Sequence, residues 1–411
     1  MRKLLFCVAG VLVGLLAIPA VGQSISPHAR IIIQNDSDFT SCACVVSGMG
    51  STANPYVIGP WSIKSNGGVG VSIDGTDLTK SFILSNLKIS GNSTNSDLGI
   101  VLNHINPGGT QSIVGNVEGA QTAIQNTNVA ITVENSSYVV LDGHGANPNG
   151  AGVSASAGVI NTNLDGAVDV ENSGQVTVKG WQMNSNGGNH TPDYVNWDPA
   201  LQFWGVGGVR FFGVSYSVID HNSANNDVSL SFSLFNSSHN LVTNNTADYP
   251  FTHNILIVDG SSYNTVSSNL TGTGDFFNIM VADPLPKSPT LKTYGPSHDN
   301  VISNNTSHSA GPTGTELSAN IVPAFLGGIV VLNGTYNNKI LNNQSWANTG
   351  GDLVWAQAVP NSKTSIGVIT YPLTLYCNVT ASEGGGGVGN LNGNVWQGNT
   401  FQVIAPCLPA Q

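Results

Sequence analysis

The chain has 411 residues, of which 40% are hydrophobic and only 9% charged, with a formal net charge of −11. Such an acidic chain excludes nucleic acid and anionic membrane as partners. Disorder is excluded too, because the apolar residues alternate with Asn, Ser, Thr and Gly in the period-two pattern of strands.

The first 22 residues read as an export signal. Arg2 and Lys3 form a positive start, Leu4 to Leu16 an apolar core, and Ala20-Val21-Gly22 a small-residue cleavage site. The apolar run is too short for a membrane span. The mature chain is expected to begin near Gln23, with ten basic residues left against 23 acidic ones. It lacks a further apolar segment of membrane length, so a soluble, monomeric protein of the periplasm or exterior is expected. Residues 23–75 read as an N-terminal cap with the first strands, 76–360 as repeats, and 361–411 as a last rung and C-terminal cap.

Four cysteines remain after processing: Cys42, Cys44, Cys377 and Cys407. In a stacked body the two ends lie tens of Å apart, whereas a disulfide needs Cα atoms within about 7 Å. Cys377–Cys407 is therefore the expected bridge, in an oxidising compartment. Cys42-Ala43-Cys44 is left as a strained local bridge, free thiols or half a metal site, the metal reading being the weakest.

The dominant signal is a phrase that recurs along the second half. Ser238-His239-Asn240-Leu241-Val242-Thr243-Asn244-Asn245 is one copy, and Ser262-Tyr263-Asn264-Thr265-Val266-Ser267-Ser268-Asn269 the next. Further copies run over 297–305 and 336–343, with a last one at Asn394-Val395-Trp396-Gln397-Gly398-Asn399. The closing asparagines Asn222, Asn245 and Asn269 are 23 and 24 residues apart, and Asn305 and Asn343 follow at 36 and 38. The longer steps hold Pro-containing insertions, 284–296 and 309–323. Gapless earlier copies run from Asn135 to Gly143 and from Asn172 to Gly180.

A period this regular marks a solenoid, whose short strands bury their faces only by stacking. The expectation is an all-β fold, a single right-handed parallel β-helix of roughly ten rungs. Leu141, Val178, Ile219, Val242, Val266, Ile302 and Ile340 should point inward. The Asn column should bond along the stack at a tight turn, since Asn tolerates left-handed backbone and carries both donor and acceptor.

These repeats resemble those of right-handed β-helix proteins of the NosD-like, periplasmic copper-binding group. Asp38-Phe39-Thr40, Ser47-Gly48-Met49-Gly50-Ser51, Asn54-Pro55-Tyr56-Val57-Ile58 and Trp61-Ser62-Ile63 resemble the opening of that family, with Asn54 where an Asp is usual. The likeness covers about residues 30 to 400. It implies a metal-maturation role, yet Met49, Met183, Met280 and the scattered histidines form no ligand pattern. No metal and no cofactor is expected. The same architecture occurs in pectate lyases, polygalacturonases and alginate epimerases, which implies an outer face that works on polysaccharide.

Aligning the copies places Asp142, Lys179 and Asp220 in one outward column, with His144 and His221 just beyond. The stretch between Lys179 and Asp220 is rich in aromatic and polar residues: Trp181, His190, Asp193, Tyr194, Trp197, Trp204 and Arg210. Aromatic faces stack on pyranose rings, and carboxylates bond hydroxyls. Two carboxylates can serve as acid and base, or a lysine can take a proton beside a uronate. The candidate catalytic residues are therefore Asp142, Lys179 and Asp220, and the others are candidate ligand contacts. The leading expectation is a non-catalytic exported protein that binds polysaccharide or envelope components. A lyase, hydrolase or epimerase is the alternative.

Overall fold

Each late copy of the repeat is one strand held between two asparagines five residues apart, such as Asn240 and Asn245 around Leu241–Thr243. The computed structural model describes residues 25–147, 150–154, 156–187, 206–227, 230–250, 253–274, 277–282, 294–310, 327–332, 334–348, 353–358, 373–375 and 393–401. Its strands stack into three long sheets of twelve strands each among the described residues. One coil of chain visits the sheets in a fixed order. Val139–Asp142 lies in sheet C, Gly158–Asn161 in sheet A and Gly166–Glu171 in sheet B, and the chain then returns to sheet C at Thr177–Lys179. The result is the expected right-handed parallel β-helix. Sheet C holds eleven parallel strands, slightly more coils than the asparagine count suggests. The early coils, such as Phe82–Ser85 and Gly115–Glu118, lack bracketing asparagines and so escape the pattern.

Alternation fills the interior. Leu141, Val178, Ile219, Val242, Val266, Ile302 and Ile340 are all fully buried, as the column predicts. Two asparagine ladders run beside them. At the turn from sheet C to sheet A, the Asn245 carboxamide oxygen accepts from the Asn222 backbone N–H (2.9 Å) and Nδ2 (3.1 Å). Asn245 donates in turn to Asn269, Asn269 to Asn305, Asn305 to Asn343 and Asn343 to Asn399. A second ladder, Asn240, Asn264, Asn300, Asn338 and Asn394, marks the turn from sheet B to sheet C. The structure corrects one expectation. The left-handed residue is the one before the ladder Asn: His221, Asn244, Ser268, Asn304 and Asn342, with φ between 49° and 57°. The ladder Asn is selected for its amide, which satisfies buried backbone groups of the neighbouring coil.

At each end one of the three sheets finishes in an antiparallel strand, which interrupts the run of parallel edges there. Val45–Ser47 lies antiparallel to Tyr56–Ile58, and Leu373–Leu375 to Leu353–Ala358. Helix Asp36–Ser41 covers the first coil. Asn35 and Asp38 form its capping box, and Phe39 packs on Tyr56 and Phe82. Cys42 and Cys44, just after it, are disulfide-bonded to each other, which selects the local bridge. Cys377 and Cys407 lie outside the described residues. Among the described residues no helix is long and apolar enough to cross a membrane.

Candidate functional site

The predicted column forms. Asp142 is paired in register with Lys179, and Lys179 with Asp220, at the last outward position of each sheet C strand. Lys179 Nζ donates to Asp142 Oδ2 at 2.9 Å. His221 Nδ1 sits 2.6 Å from Asp220 Oδ1, and Asn244 Nδ2 donates to the same oxygen at 3.1 Å. Asp142 also accepts the backbone N–H of His144 at 2.8 Å, fixing the left-handed turn that follows the strand. One coil earlier stands Glu118, which sequence reasoning missed; its Oε2 is 3.9 Å from His144 Nε2. Its signal was present but faint, because its coil has no closing Asn to set the alignment. Glu118, Asp142, Lys179 and Asp220 thus form a half-buried polar strip along the edge of sheet C.

A ridge stands beside this strip. The chain leaves Asp142, crosses an antiparallel bridge between Ala146 and Val153, and reaches three coils along. There the Gly152 N–H donates to the Asn244 carbonyl at 2.7 Å, and nearer its base Gly145 N–H donates to the Gly180 carbonyl at 3.1 Å. Gly180, at φ 69°, is required here: a Cβ would fall 2.7 Å from the Gly145 nitrogen. The strip is therefore walled on the sheet A side.

Two expected ligand contacts are corrected. Trp181 is fully buried, because it takes an inward position of sheet A strand Trp181–Asn184. Its indole Nε1 donates to the Leu141 carbonyl at 3.0 Å, and Gly143 and Gly158 of the preceding coil leave room for the ring. Arg210 belongs to sheet B, away from the strip. It forms a bidentate pair with Asp169 (2.9 and 2.7 Å) and reaches Glu171 at 2.9 Å. Burial, reinforced by the Asp169 charge, pushes the Glu171 carboxyl up, with Arg210 opposing. Burial would lower the Arg210 guanidinium, but Asp169 and Glu171 hold it above its ordinary value. This cluster was not foreseen, since Asp169 and Glu171 read as ordinary alternation in Gly166–Glu171. His190, Asp193, Tyr194, Trp197 and Trp204 lie outside the described residues.

Comparison with known proteins adds little beyond architecture. No protein-family model matches the chain, and no curated protein matches it. Solved structures similar to it include the DFA-IIIase of Arthrobacter chlorophenolicus A6 in complex with GF2, at 11% identity over 83% of this chain and 74% of that one, with TM-score 0.38. The periplasmic alginate epimerase AlgG is 11% identical over 85% and 77%, with TM-score 0.29. The catalytic domain of a GH87 α-1,3-glucanase in complex with nigerose is 15% identical over 74% and 51%, with TM-score 0.33, so this chain spans about half of it. Likenesses this remote carry no argument about activity. The fold rests on the coil itself.

Proposed function

We propose that this is an exported protein that binds a neutral, hydroxyl-rich polysaccharide on the outer face of sheet C. The observation that supports it is the pairing of Asp142 with Lys179 and of Asp220 with His221 on neighbouring coils, half-exposed beside the ridge that carries Gly145 and Gly152. A His–Asp contact alone would mean little. His298 and Asp299 make one at 2.7 Å, and there His298 simply stacks on Tyr336. What sets His221 apart is the row of donors and acceptors next to it and the wall beside it. Three carboxylates against one lysine, on a chain of net charge −11, would repel a polyuronate, so a neutral glycan fits better. A lyase or epimerase acting on uronates loses support by the same argument. So does Lys179 as a base, since its ammonium is engaged by Asp142.

Hydrolysis is the second reading. Asp142 and Asp220 are two coils apart, about 9.6 Å between backbones. A separation of that order leaves room for a water and a glycosidic bond between Asp142 and the Asp220–His221 pair. Asp142, held by Lys179, would take a proton from that water as it attacks the anomeric carbon. His221, held by Asp220, would give a proton to the departing oxygen. A metal-maturation role like that of NosD-like proteins rests on the resemblance of the repeats alone.

The test is a panel of neutral and acidic polysaccharides, with retention and new reducing ends followed together for wild type, Lys179→Ala and Asp220→Asn. Retention of a neutral glycan that both substitutions weaken supports binding at the strip. New reducing ends lost in both variants would make it a hydrolase. Retention of acidic glycans alone, or of none, would sink the reading.

A further inference from the structure

At the opposite edge of sheet C, the turn from sheet B carries a row of rings. Tyr216 stacks on His239 at 4.7 Å, and His239 on Tyr263 at 5.1 Å. Both faces of His239 are therefore covered by its neighbours in the row. Tyr216 is different. The residue is 60% exposed, and the coil before it carries Gln175 in the corresponding left-handed position. On that side lies an open groove of about 470 Å³, bounded by Tyr216, Ser137, Asn172, Gln175 and the turn at Pro107 and Gly109. Gly174 helps to open it. It stands in a column of bridged residues otherwise occupied here by Ser137, Ser215 and Ser238. A Cβ at Gly174 would meet only ordinary contacts at 3.4 Å or more, so backbone geometry does not demand glycine.

The groove combines an exposed aromatic face with hydroxyl and amide groups, and no charged side chain lines it. That chemistry suits one neutral pyranose ring: its C–H face on the tyrosine, its hydroxyls on Asn172, Gln175 and Ser137. Tyr216 stands in the left-handed turn that leads into the strand Val218–Asp220 of the same coil, four residues before Asp220. The separation is at most about 13 Å, roughly two to three glycosyl units. We infer that Tyr216 is the platform of a distal glycosyl subsite, and that the glycan crosses sheet C from this groove to the Asp220–His221 end. The inference rests on the polysaccharide reading above and adds direction and subsite order to it.

The experiment is titration of the full secreted chain with cello-, laminari- and malto-oligosaccharides of two to six units. In wild type, affinity for the preferred series should rise between two units and about four, then level off. Tyr216→Ala should remove that rise, weakening the longer oligomers about tenfold while leaving the disaccharide unchanged. Tyr216→Phe should restore it, and Gly174→Ser, which narrows the groove, should reduce it in part. Equal affinities of wild type and Tyr216→Ala for the hexamer would overturn the subsite yet leave binding at the strip intact. Equal loss for every length would overturn its distal placement. Absence of binding by wild type to all three series and to the polysaccharide panel would remove both readings.

Discussion

Two aspartate–cation pairs on this coil arise in the same way and do different things. Asp142–Lys179 on sheet C and Asp169–Arg210 on sheet B each join residues paired in register on adjacent coils. Their closest contacts, 2.9 and 2.7 Å, hardly differ. Exposure does: 20% and 37% for the first pair, 9% and 11% for the second. Solvent screens the first pair, so its side chains can exchange one another for a ligand hydroxyl at small cost. The second pair is bidentate, shares Arg210 with Glu171, and lies on a sheet whose outer face stays buried in the following coils through Ser233, Leu256 and Met280. Burial, not distance, separates a candidate site from a structural clamp.

The largest expected effect tests the clamp. Arg210→Met leaves the buried Asp169 and the half-buried Glu171 without their cation and should cost about 3–5 kcal/mol in urea unfolding, most of it at Asp169. An unchanged midpoint would place both pairs in the same class.

Next comes pH, through two buried groups at sheet B and its entry. Burial pushes the Asp227 carboxyl up to about 7, although Asn186 donates to it twice. The fold thus favours its protonated form, a contribution complete below about pH 4 and lost as pH rises through 7. Burial pushes the His253 imidazole down to about 3. The fold favours its neutral form, a contribution present above about pH 6.5 and lost as pH falls through 3. Between about pH 4 and 6.5 the two slopes oppose each other. Stability of Asp227→Asn should therefore rise with pH over that window, and stability of His253→Gln should fall. Parallel curves for both variants would refute the assignment.

The smallest stability effect belongs to the exposed pair. Lys179→Met should shift unfolding by less than about 1 kcal/mol. The same substitution should abolish the retention of polysaccharide that the strip confers. A large loss of stability would erase the contrast with Arg210.

The coil was legible because its signal is repeated. Five Asn-x-x-x-x-Asn phrases fix five of the sheet C strands, and the aliphatic column that runs through them and the earlier copies fixes what points inward. Asp142, Lys179 and Asp220 could be placed outward by counting alone. Trp181 and Arg210 could not be placed that way. Both fall between two aligned copies, where sequence proximity to the column suggested spatial proximity. In a three-sided coil, residues a few positions beyond a strand already face another side. Trp181 had turned onto sheet A with its ring inward, and Arg210 onto sheet B. The ridge was illegible for a different reason: its closest contacts are backbone hydrogen bonds at Gly145, Gly152 and Gly180, which leave no pattern of side chains.

The asparagine ladders carry one more implication. Asn222 meets Asn245 at 3.1 Å across 23 residues of chain, and Asn343 meets Asn399 at 3.0 Å across 56. The rung-to-rung joint is indifferent to how much polypeptide is spliced between its two halves. Natural variation, or a protein engineer, can exchange the intervening segment for another recognition surface while the joint stays as it is. The scaffold is in this sense modular at every turn, and its specificity can change faster than its shape.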